Sequence, residues 1–188
     1  MKELIARIRG YIFLWKYRYT GKNIFIGQGL KLYCKLEIRG EGKITIGKNC
    51  TIAGISGDRR HYVTIYTHTP GAEIAIGDNA KLFAARISAK FSITIGDDFL
   101  IEESGMTDTD FHSLNLDRGT PIESREKCRV RIGDRVSIGA RSVICKGVTV
   151  GDDVLIAPGS IITKSIPAGS FACGNPAKVV RSEARLAG

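Results

Sequence analysis

Three histidines are the side chains of this chain best suited to general-base chemistry near neutral pH. His61 and His68 lie close together in the first half of the sequence, whereas His112 lies in the stretch DTDFHSL, after Asp108 and Asp110. An aspartate beside a histidine can orient the imidazole and stabilise its protonated form, although aspartate also favours turns. His112 with one of these aspartates is therefore a candidate for accepting the proton of a hydroxyl group.

The cysteines favour reduced thiols over metal ligands or disulfides. Five are present, with no CxxC pair and no zinc-like spacing: Cys34, Cys50, Cys128, Cys145 and Cys173. Their odd number and scatter are typical of small apolar side chains in a reducing compartment, and disulfides are the weaker interpretation. The sequence therefore predicts a cytoplasmic protein that requires no metal.

A six-residue repeat supplies the elements that must position these side chains. Apolar residues recur at every sixth place: Ile132, Ile138, Ile144, Val150, Ile156 and Ile162. Similar phrases open with Ile-Gly or Val-Gly at positions 26, 46, 76, 95, 132 and 150. The glycine and the nearby Asp or Asn tolerate sharp turns, and the apolar residue of each hexad points inward. Three hexads separate 132 from 150, which predicts a solenoid with three short strands per coil, a triangular prism.

Irregular spacing elsewhere indicates where the solenoid ends and where loops leave it. The sequence predicts a helix at 1–21, the solenoid at 22–166 and a closing tail at 167–188. Within the solenoid, the repeat is interrupted at 56–72 and at 107–128, and such insertions often carry function. We expect His61 and His68 in the first insertion, outside the hexad register, and His112 in the second.

The N-terminal segment predicts a basic amphipathic helix. Its apolar residues at helical spacing are Leu4, Ile5, Ile8, Ile12, Trp15 and Tyr19. Its cations are Lys2, Arg7, Arg9, Lys16 and Arg18. Two interpretations stay open at this point: the apolar stripe packs on the body or on a neighbouring subunit, or residues 1–21 make peripheral contact with an anionic membrane, at the inner face. No apolar run is long enough to span a bilayer, and no signal-peptide cleavage site is evident.

The formal net charge of +9 at pH 7 calls for a negatively charged partner. A phosphate-rich small molecule, an acidic polysaccharide or a membrane surface would each satisfy this charge. Nucleic acid is not expected, because no helix-turn-helix or aromatic RNA-binding motif appears.

From about residue 24 to residue 182, the chain resembles the hexapeptide-repeat acyltransferases. The most specific matches are the hexads from 132 to 162 and the ending GSIITKSIPAGSFACGNPAKVVR, and the DxDFH loop is similar to sugar O-acetyltransferases of surface-polysaccharide synthesis. The resemblance implies a mainly β fold, a left-handed parallel β-helix, in a homotrimer. It also implies acetyl transfer from acetyl-CoA to a saccharide hydroxyl. The alternative is N-acetylation of a nucleotide-linked amino sugar.

The resemblance also suggests roles for individual residues. His112 matches the family's essential histidine, although here Asp108, and not the histidine, follows Thr107. Asp110 is predicted to orient His112, with Asp108 as the other candidate, and Asp108 and Asn115 are predicted to contact the acceptor. The predicted coenzyme positions are Ala140, Pro158, Thr163 and Lys164, with Lys178 and Arg181 at the phosphates. Pro158 lacks a backbone N–H, so it cannot donate an amide hydrogen bond to the coenzyme.

Two other classes of solenoid fit the residues less well. A carbonic-anhydrase-like β-helix would need three zinc-binding histidines in register on adjacent coils, which His61, His68 and His112 do not offer. An ice-binding or purely structural solenoid would need a ladder of surface threonines, and the sequence has none. Neither class explains the ending that resembles a coenzyme-binding segment.

Overall fold

The computed structural model describes residues 1–20, 23–55, 61–110 and 124–182, and most of them form a prism of short strands. The elements in chain order are α1 (Lys2–Thr20), β1 (Ile24–Ile26), β2 (Lys31–Leu32), β3 (Leu36–Arg39), β4 (Lys43–Ile46), β5 (Thr51–Ala53), β6 (Val63–Thr67), β7 (Glu73–Ile76), β8 (Lys81–Phe83), β9 (Arg86–Ala89), β10 (Ser92–Ile95), β11 (Leu100–Glu102), β12 (Gly105–Thr107), α2 (Arg125–Cys128), β13 (Val130–Ile132), β14 (Ser137–Ile138), β15 (Val143–Ile144), β16 (Thr149–Val150), β17 (Leu155–Ile156), β18 (Ile161–Ile162), β19 (Ser170–Gly174) and β20 (Ala177–Ser182).

Three parallel sheets form the faces of the prism. The first has the order β1-β4-β7-β10-β13-β16, the second begins β2-β5-β8-β11-β14-β17, and the third is β3-β6-β9-β12-β15-β18. Every third strand along the chain therefore joins the same sheet, so each coil contributes one strand to each face. This arrangement confirms the prediction of three short strands per coil, and the fold is the left-handed β-helix that the sequence predicted.

The inward-pointing hexad residues form the core. All six residues of the regular hexads are buried: Ile132, Ile138, Ile144, Val150, Ile156 and Ile162. Buried residues of neighbouring coils stack in register. Ile144 is paired with Met106 of the coil before it and with Ile162 of the coil after it. The predicted interior is confirmed, and one continuous apolar column supports all three faces.

The corners between the first and second sheets explain why Gly and Asp follow the hexad isoleucine. A side chain at Gly77 would collide with the backbone of Gly96 in the next coil, so the coils can stack only without one. The Asp97 carboxylate accepts the backbone N–H of Asp78 at 2.6 Å, and Asp134 accepts that of Asp97 at 2.8 Å. Asn79 then turns the chain at a φ of 60°, a conformation that asparagine tolerates. These residues therefore set the sharp turns on which the prism depends.

The N-terminal helix lies against the first coil with its small residues inward. Ala6 and Gly10 are buried, and a side chain at Gly10 would overlap the carbonyl group of Leu30. Phe13 and Leu14 are partly buried against the core. The predicted helix is thus present, but its large apolar stripe does not pack on the body of this chain. None of the helices in the described part of the chain is long and apolar enough to cross a membrane.

The C-terminal segment continues the second sheet and then folds back on it. β19 pairs in parallel with β17, so it serves as the second-sheet strand of one further coil. β20 pairs antiparallel with β19, from Gly174 and Ala177 at the turn to Ser170 and Ser182 at the far end. The predicted closing tail from 167 therefore contains a strand of the solenoid followed by an antiparallel edge strand.

The two predicted insertions differ from the structure in extent. The region 56–72 contains β6, which pairs with β3 and β9 in the third sheet, so it is not one continuous loop. Residues 56–60 lie outside the described part of the chain. In the second insertion, Thr107 still belongs to β12 and Arg125–Cys128 form α2, whereas residues 111–123 lie outside the description.

Candidate functional site

The second insertion begins at a buried aspartate. Asp108 directly follows β12, and it has no solvent access. Its carboxylate accepts three backbone N–H groups of the preceding coil, from Lys90 at 2.7 Å, Phe91 at 2.7 Å and Ser92 at 2.6 Å. A carboxylate engaged in this way anchors the turn beneath it. The geometry therefore favours a structural role for Asp108 over the acceptor contact and the histidine-orienting role considered from the sequence.

Asp110 holds the start of the insertion to the coil that follows. Its carboxylate lies 2.5 Å from the ammonium nitrogen of Lys146, and both side chains are about 29% exposed. Cys145, beside Lys146, is half-buried. Burial raises the pKa of the Cys145 thiol, and the negative charge of Asp110 raises it further. The thiol is thus kept protonated and weakly nucleophilic, whereas Asp110 and Lys146 form a polar pair at the base of the loop.

Two predicted site residues, His112 and Asn115, lie outside the described residues. Asp110, which precedes His112 by two residues in the sequence, is the last described residue before 111–123. The assignment of His112 as catalytic base remains a prediction, as does the acceptor contact of Asn115.

His68 lies at the same edge of the third sheet as Asp108. His68 directly follows β6, and its Nε2 lies 2.6 Å from the hydroxyl oxygen of Ser88 on β9. Its ring packs against Tyr66 with 4.8 Å between the ring centroids. Burial lowers the pKa of His68, and the nearby Asp108 carboxylate partly opposes this effect. His68 is therefore a largely neutral imidazole two coils before the start of the second insertion.

Sequence reasoning underrated His68 because it placed residues 56–72 in a loop. The alternation of Val63 and Ile65 with Thr64 and Tyr66 was the available signal, since alternating burial is typical of a strand. Once β6 is recognised as a strand of the prism, His68 occupies a corner that adjoins Lys90 and the coil of Asp108.

An open groove runs along the outer surface of the third sheet, beside β6 and β9. It has a volume of about 430 Å³, and its lining residues are Tyr62, Thr64, Tyr66, Arg86, Ile87 and Ser88. Two tyrosines offer flat surfaces, and Arg86 offers a planar cation that can form two parallel hydrogen bonds with a carboxylate or phosphate. The groove therefore has the chemical character of a site for a polar ring with a negative charge.

Two of the predicted coenzyme positions meet at one corner of the prism. Ala140 and Pro158 lie in successive turns between the second and third sheets, and the Gly159 N–H donates to the Ala140 carbonyl oxygen at 2.8 Å. Pro158 is exposed and stacks over Gly139, where any side chain would collide with the proline ring. Gly139, Ala140 and Pro158 thus give this part of the corner a surface of small residues, beside the exposed side chain of Arg141.

Buried serines build this corner from beneath, and sequence reasoning did not identify them. The Ser104 hydroxyl accepts the N–H of Ser142 at 2.8 Å, and the Ser142 hydroxyl accepts the N–H of Ser160 at 3.2 Å. The Ser160 hydroxyl accepts the N–H of Gly174 at 3.3 Å, which joins the β19–β20 turn to the corner. The recurrence of serine at every eighteenth place from 142 to 160 was the signal in the sequence.

The remaining coenzyme positions divide between two places. Lys178 lies at the start of β20, opposite Cys173, and therefore close to the corner of Pro158 and Ser160. Arg181 lies further along the same strand, opposite Phe171, and both cations are exposed. Thr163 and Lys164 are also exposed, but they follow β18 at the opposite border of the third sheet. The structure thus groups Ala140, Pro158 and Lys178 and separates them from Thr163 and Lys164.

None of the five cysteines forms a disulfide. Across residues 1–20, 23–55, 61–110 and 124–182, no group of three or more His, Cys, Asp or Glu side chains is arranged to hold a metal ion.

Comparison with known proteins identifies the repeat. Residues 129–164 match the bacterial transferase hexapeptide family, a pattern of six repeats. These residues are the regular coils that carry Ala140, Pro158 and Thr163. The sequence comparison with curated proteins gives no match.

Solved structures share the architecture at low sequence identity. AntD, an N-acyltransferase from Bacillus cereus solved with dTDP and 3-hydroxybutyryl-CoA, is 16% identical, with 92% of this chain and 90% of that chain covered and a TM-score of 0.67. The polysialic acid O-acetyltransferase OatWY is 21% identical, with 86% and 82% covered and a TM-score of 0.66. PerB from Caulobacter crescentus, solved with CoA and GDP-perosamine, is 17% identical, with 96% and 68% covered and a TM-score of 0.53.

Together with the stacked coils, these likenesses establish the fold and the repeat. The family match covers the regular hexads, and the structural matches extend over most of the chain. The chain therefore carries the bacterial transferase hexapeptide repeat and has the left-handed β-helix fold of these acyltransferases.

Proposed function

We propose that the protein transfers an acetyl group from acetyl-CoA to a hydroxyl group of a saccharide, in the synthesis of a surface polysaccharide or capsule. The observation that carries the proposal is the ion pair between Asp110 and Lys146, which holds the start of the His112 loop on the regular coils. Lys146 follows β15 in the regular coils that contain Ala140 and Pro158, and the predicted base follows Asp110 by two residues in the sequence. The fold shared with OatWY, a polysialic acid O-acetyltransferase, supports the reaction class.

In this proposal, His112 is the general base. It accepts the proton of the acceptor hydroxyl while the hydroxyl oxygen attacks the thioester carbonyl carbon. The new C–O bond forms, the C–S bond breaks, and His112 returns the proton to the departing thiolate of coenzyme A. The carboxylate of Asp110 is the positioning group, because a negative charge near the imidazole stabilises its protonated form.

The corner formed by Ala140 and Pro158 is the proposed path of the pantetheine arm. Its small residues let a flexible chain approach the backbone, and Lys178 and Arg181 on β20 supply cations for the phosphates at the far end of the coenzyme. Thr163 and Lys164 border the same sheet on its other side, so their contribution requires a second subunit or a bent coenzyme. In a homotrimer, the coenzyme would lie between two subunits, and the neighbouring subunit would provide the second side of its binding site.

The proposed acceptor site is the groove of Tyr62, Tyr66 and Arg86. Aromatic faces suit the apolar faces of sugar rings, and Arg86 suits an acidic substituent. His68 borders this groove through its contact with Ser88, and it is therefore the second candidate for the base. Asn115 is a proposed acceptor contact from the loop.

N-acetylation of a nucleotide-linked amino sugar is the second candidate function. AntD, solved with dTDP, and PerB, solved with GDP-perosamine, share the fold, and the groove cation Arg86 suits a nucleotide phosphate as well as an acidic sugar. Both functions use acetyl-CoA and neither requires a metal. They differ in the nucleophilic atom of the acceptor.

The test is a thiol-release assay with acetyl-CoA and a panel of neutral saccharides, acidic saccharides and nucleotide-linked amino sugars. We expect release above the acceptor-free rate with saccharides, and a product with one added acetyl group by mass spectrometry. Mild alkali should remove an O-linked acetyl group and leave an N-linked one in place. An alkali-stable product would select the second function, and release that no acceptor increases would contradict both.

A further inference from the structure

The outer side of α1 carries large apolar side chains that the prism does not cover. Five of them form one stripe, Leu4 at 63% exposed, Ile5 at 43%, Ile8 at 51%, Ile12 at 60% and Trp15 at 63%, and Tyr11 at its edge is 73% exposed. With 3.6 residues per turn, these positions fall on one side of the helix, opposite the buried Ala6 and Gly10. We call these five residues the outer stripe.

Cations border the outer stripe along both edges. At about 100° per residue, Lys2, Arg9 and Lys16 follow one edge, and Arg7 and Arg18 follow the other, all with exposed side chains. The single acidic residue of α1 is Glu3. Its carboxylate lies 2.9 Å from Arg7 and 3.2 Å from Lys31 on β2, toward the prism. The exposed side of the helix is therefore apolar at its centre and positively charged at its margins.

We propose that α1 lies flat on the surface of a bilayer that contains anionic lipids, with the outer stripe at the level where head groups meet acyl chains. This inference does not depend on the proposed acetyl transfer. An interfacial helix requires an apolar face, cations for the head groups at its edges, and an aromatic side chain that is stable at the interface. The outer stripe, its two basic margins and Trp15 meet these three requirements.

Charge complementarity favours an anionic bilayer over a second protein as the partner of the outer stripe. A covered protein interface has few charges at its centre and a polar rim of mixed sign, whereas both margins of the outer stripe are basic. An anionic bilayer satisfies both margins at once, since each cation near such a surface contributes about 1 kcal/mol, or roughly fivefold in affinity. The prism holds the opposite side of α1 through Gly10 and Leu30, so the stripe is already oriented outward before it meets a membrane.

The test is cosedimentation of the full chain with vesicles of phosphatidylglycerol and phosphatidylcholine in equal parts, and with vesicles of phosphatidylcholine alone. Trp15 is the only tryptophan, so its emission reports on α1 directly. We expect binding to the anionic vesicles, a blue shift of the emission on binding, and weaker binding as salt rises. The double variant Ile8→Gln, Ile12→Gln should bind about tenfold less tightly or worse, from the loss of apolar burial.

Leu155→Gln is the matched control, because Leu155 on β17 is as exposed as Ile8 but lies away from α1. It should bind like the wild type. The proposal is overturned if the wild type stays unbound, if it binds phosphatidylcholine alone equally well, or if the Ile8 and Ile12 variant binds unchanged. It is also overturned if, without lipid, that variant forms a smaller assembly than the wild type, since the stripe would then be covered by another copy of the chain.

Discussion

Asp108 accepts the backbone N–H of Phe91 at 2.7 Å from a position without solvent access. The two residues belong to neighbouring coils, so a carboxylate at the start of one loop fixes the turn of the coil before it. The amides of Lys90 and Ser92 converge on the same carboxylate. The base of the proposed active site is therefore held by charged hydrogen bonds inside the protein.

We expect Asp108→Ala to lower the free energy of unfolding by about 3 to 5 kcal/mol, because three amides lose a charged acceptor inside the protein. Asp110→Ala is the control two residues away. It removes a half-buried ion pair with Lys146, and it should cost less than about 1 kcal/mol. Urea unfolding followed by circular dichroism measures both. If both variants lost the same free energy of unfolding, water would have replaced the Asp108 carboxylate as the acceptor of the three amide N–H groups.

Adjacent residues of β15 test the core. Ile144 is completely buried, whereas Val143 points outward and is 37% exposed. Ile144→Ala should lower the free energy of unfolding by about 2 to 5 kcal/mol through the cavity it leaves. Val143→Ala should change it by about 0.5 kcal/mol or less. The same unfolding measurement applies, and a larger loss for Val143 would contradict the assignment of inward and outward positions.

Features with a short period could be predicted from the sequence. The hexads from Ile132 to Ile162 repeat without interruption, and the period of six directly implies the strands, the turns and the inward side. The strand β6 was not predicted, because the long spacing between Ile46-Gly47 and Ile76-Gly77 was interpreted as one insertion at 56–72. The sequence left the orientation of α1 open, since the small residues Ala6 and Gly10 give no hydrophobic signal although they make the closest contact.

Features that depend on neighbouring coils could be predicted only in part. Asp108 and its amide partners lie 16 to 18 residues apart, so nothing local in DTDFH reveals that the carboxylate is already occupied. The contact of His68 with Ser88 spans 20 residues for the same reason. By contrast, Ala140 and Pro158 could be selected from the sequence as coenzyme positions, because the regular hexads that contain them carry the resemblance.

The two histidines can be separated by kinetics. We expect His112→Ala to reduce kcat by about 10² to 10⁴-fold, the usual contribution of a general base, with acetyl-CoA binding almost unchanged. His68→Gln, which keeps a polar partner for Ser88, should mainly raise the KM for the acceptor. Steady-state thiol release and calorimetric titration of acetyl-CoA measure these effects. The opposite pattern, with turnover lost only in His68→Gln, would transfer the role of base to His68.

The titration of His68 provides a test of its surroundings. Because burial lowers its pKa, the imidazole should titrate below the ordinary value of 6.5, as followed by its ring resonances in NMR spectra. Asp108→Asn should lower the pKa further, since the Asp108 charge favours the protonated ring. The unfolded chain binds the proton more readily than the folded one, so this group reduces stability as the pH falls through 6.5. A pKa at or above 6.5 would mean that the Asp108 charge outweighs the partial desolvation of the ring.

The last prediction concerns the cations of β20. Replacing both Lys178 and Arg181 by Ala should weaken acetyl-CoA binding by roughly 30-fold or more, taking about 1 to 2 kcal/mol for each charged contact with phosphate. Acetyl-pantetheine lacks the nucleotide phosphates, so its binding should change little. The loss for acetyl-CoA should shrink as salt rises, because screening already weakens these contacts in the wild type. Calorimetric titration with both donors measures the difference.

The matched control replaces Lys81 and Arg131, which are exposed cations on β8 and β13, by Ala. It changes the net charge equally, so it separates a general effect of charge from a local contact. If the control weakens acetyl-CoA binding as much as the β20 variant does, the coenzyme responds only to the overall positive potential. If the β20 variant weakens both donors equally, Lys178 and Arg181 act by holding β20 on β19, and the phosphate contact is wrong. Selective loss with acetyl-CoA alone is the result that the position of β20 beside the Pro158 corner predicts.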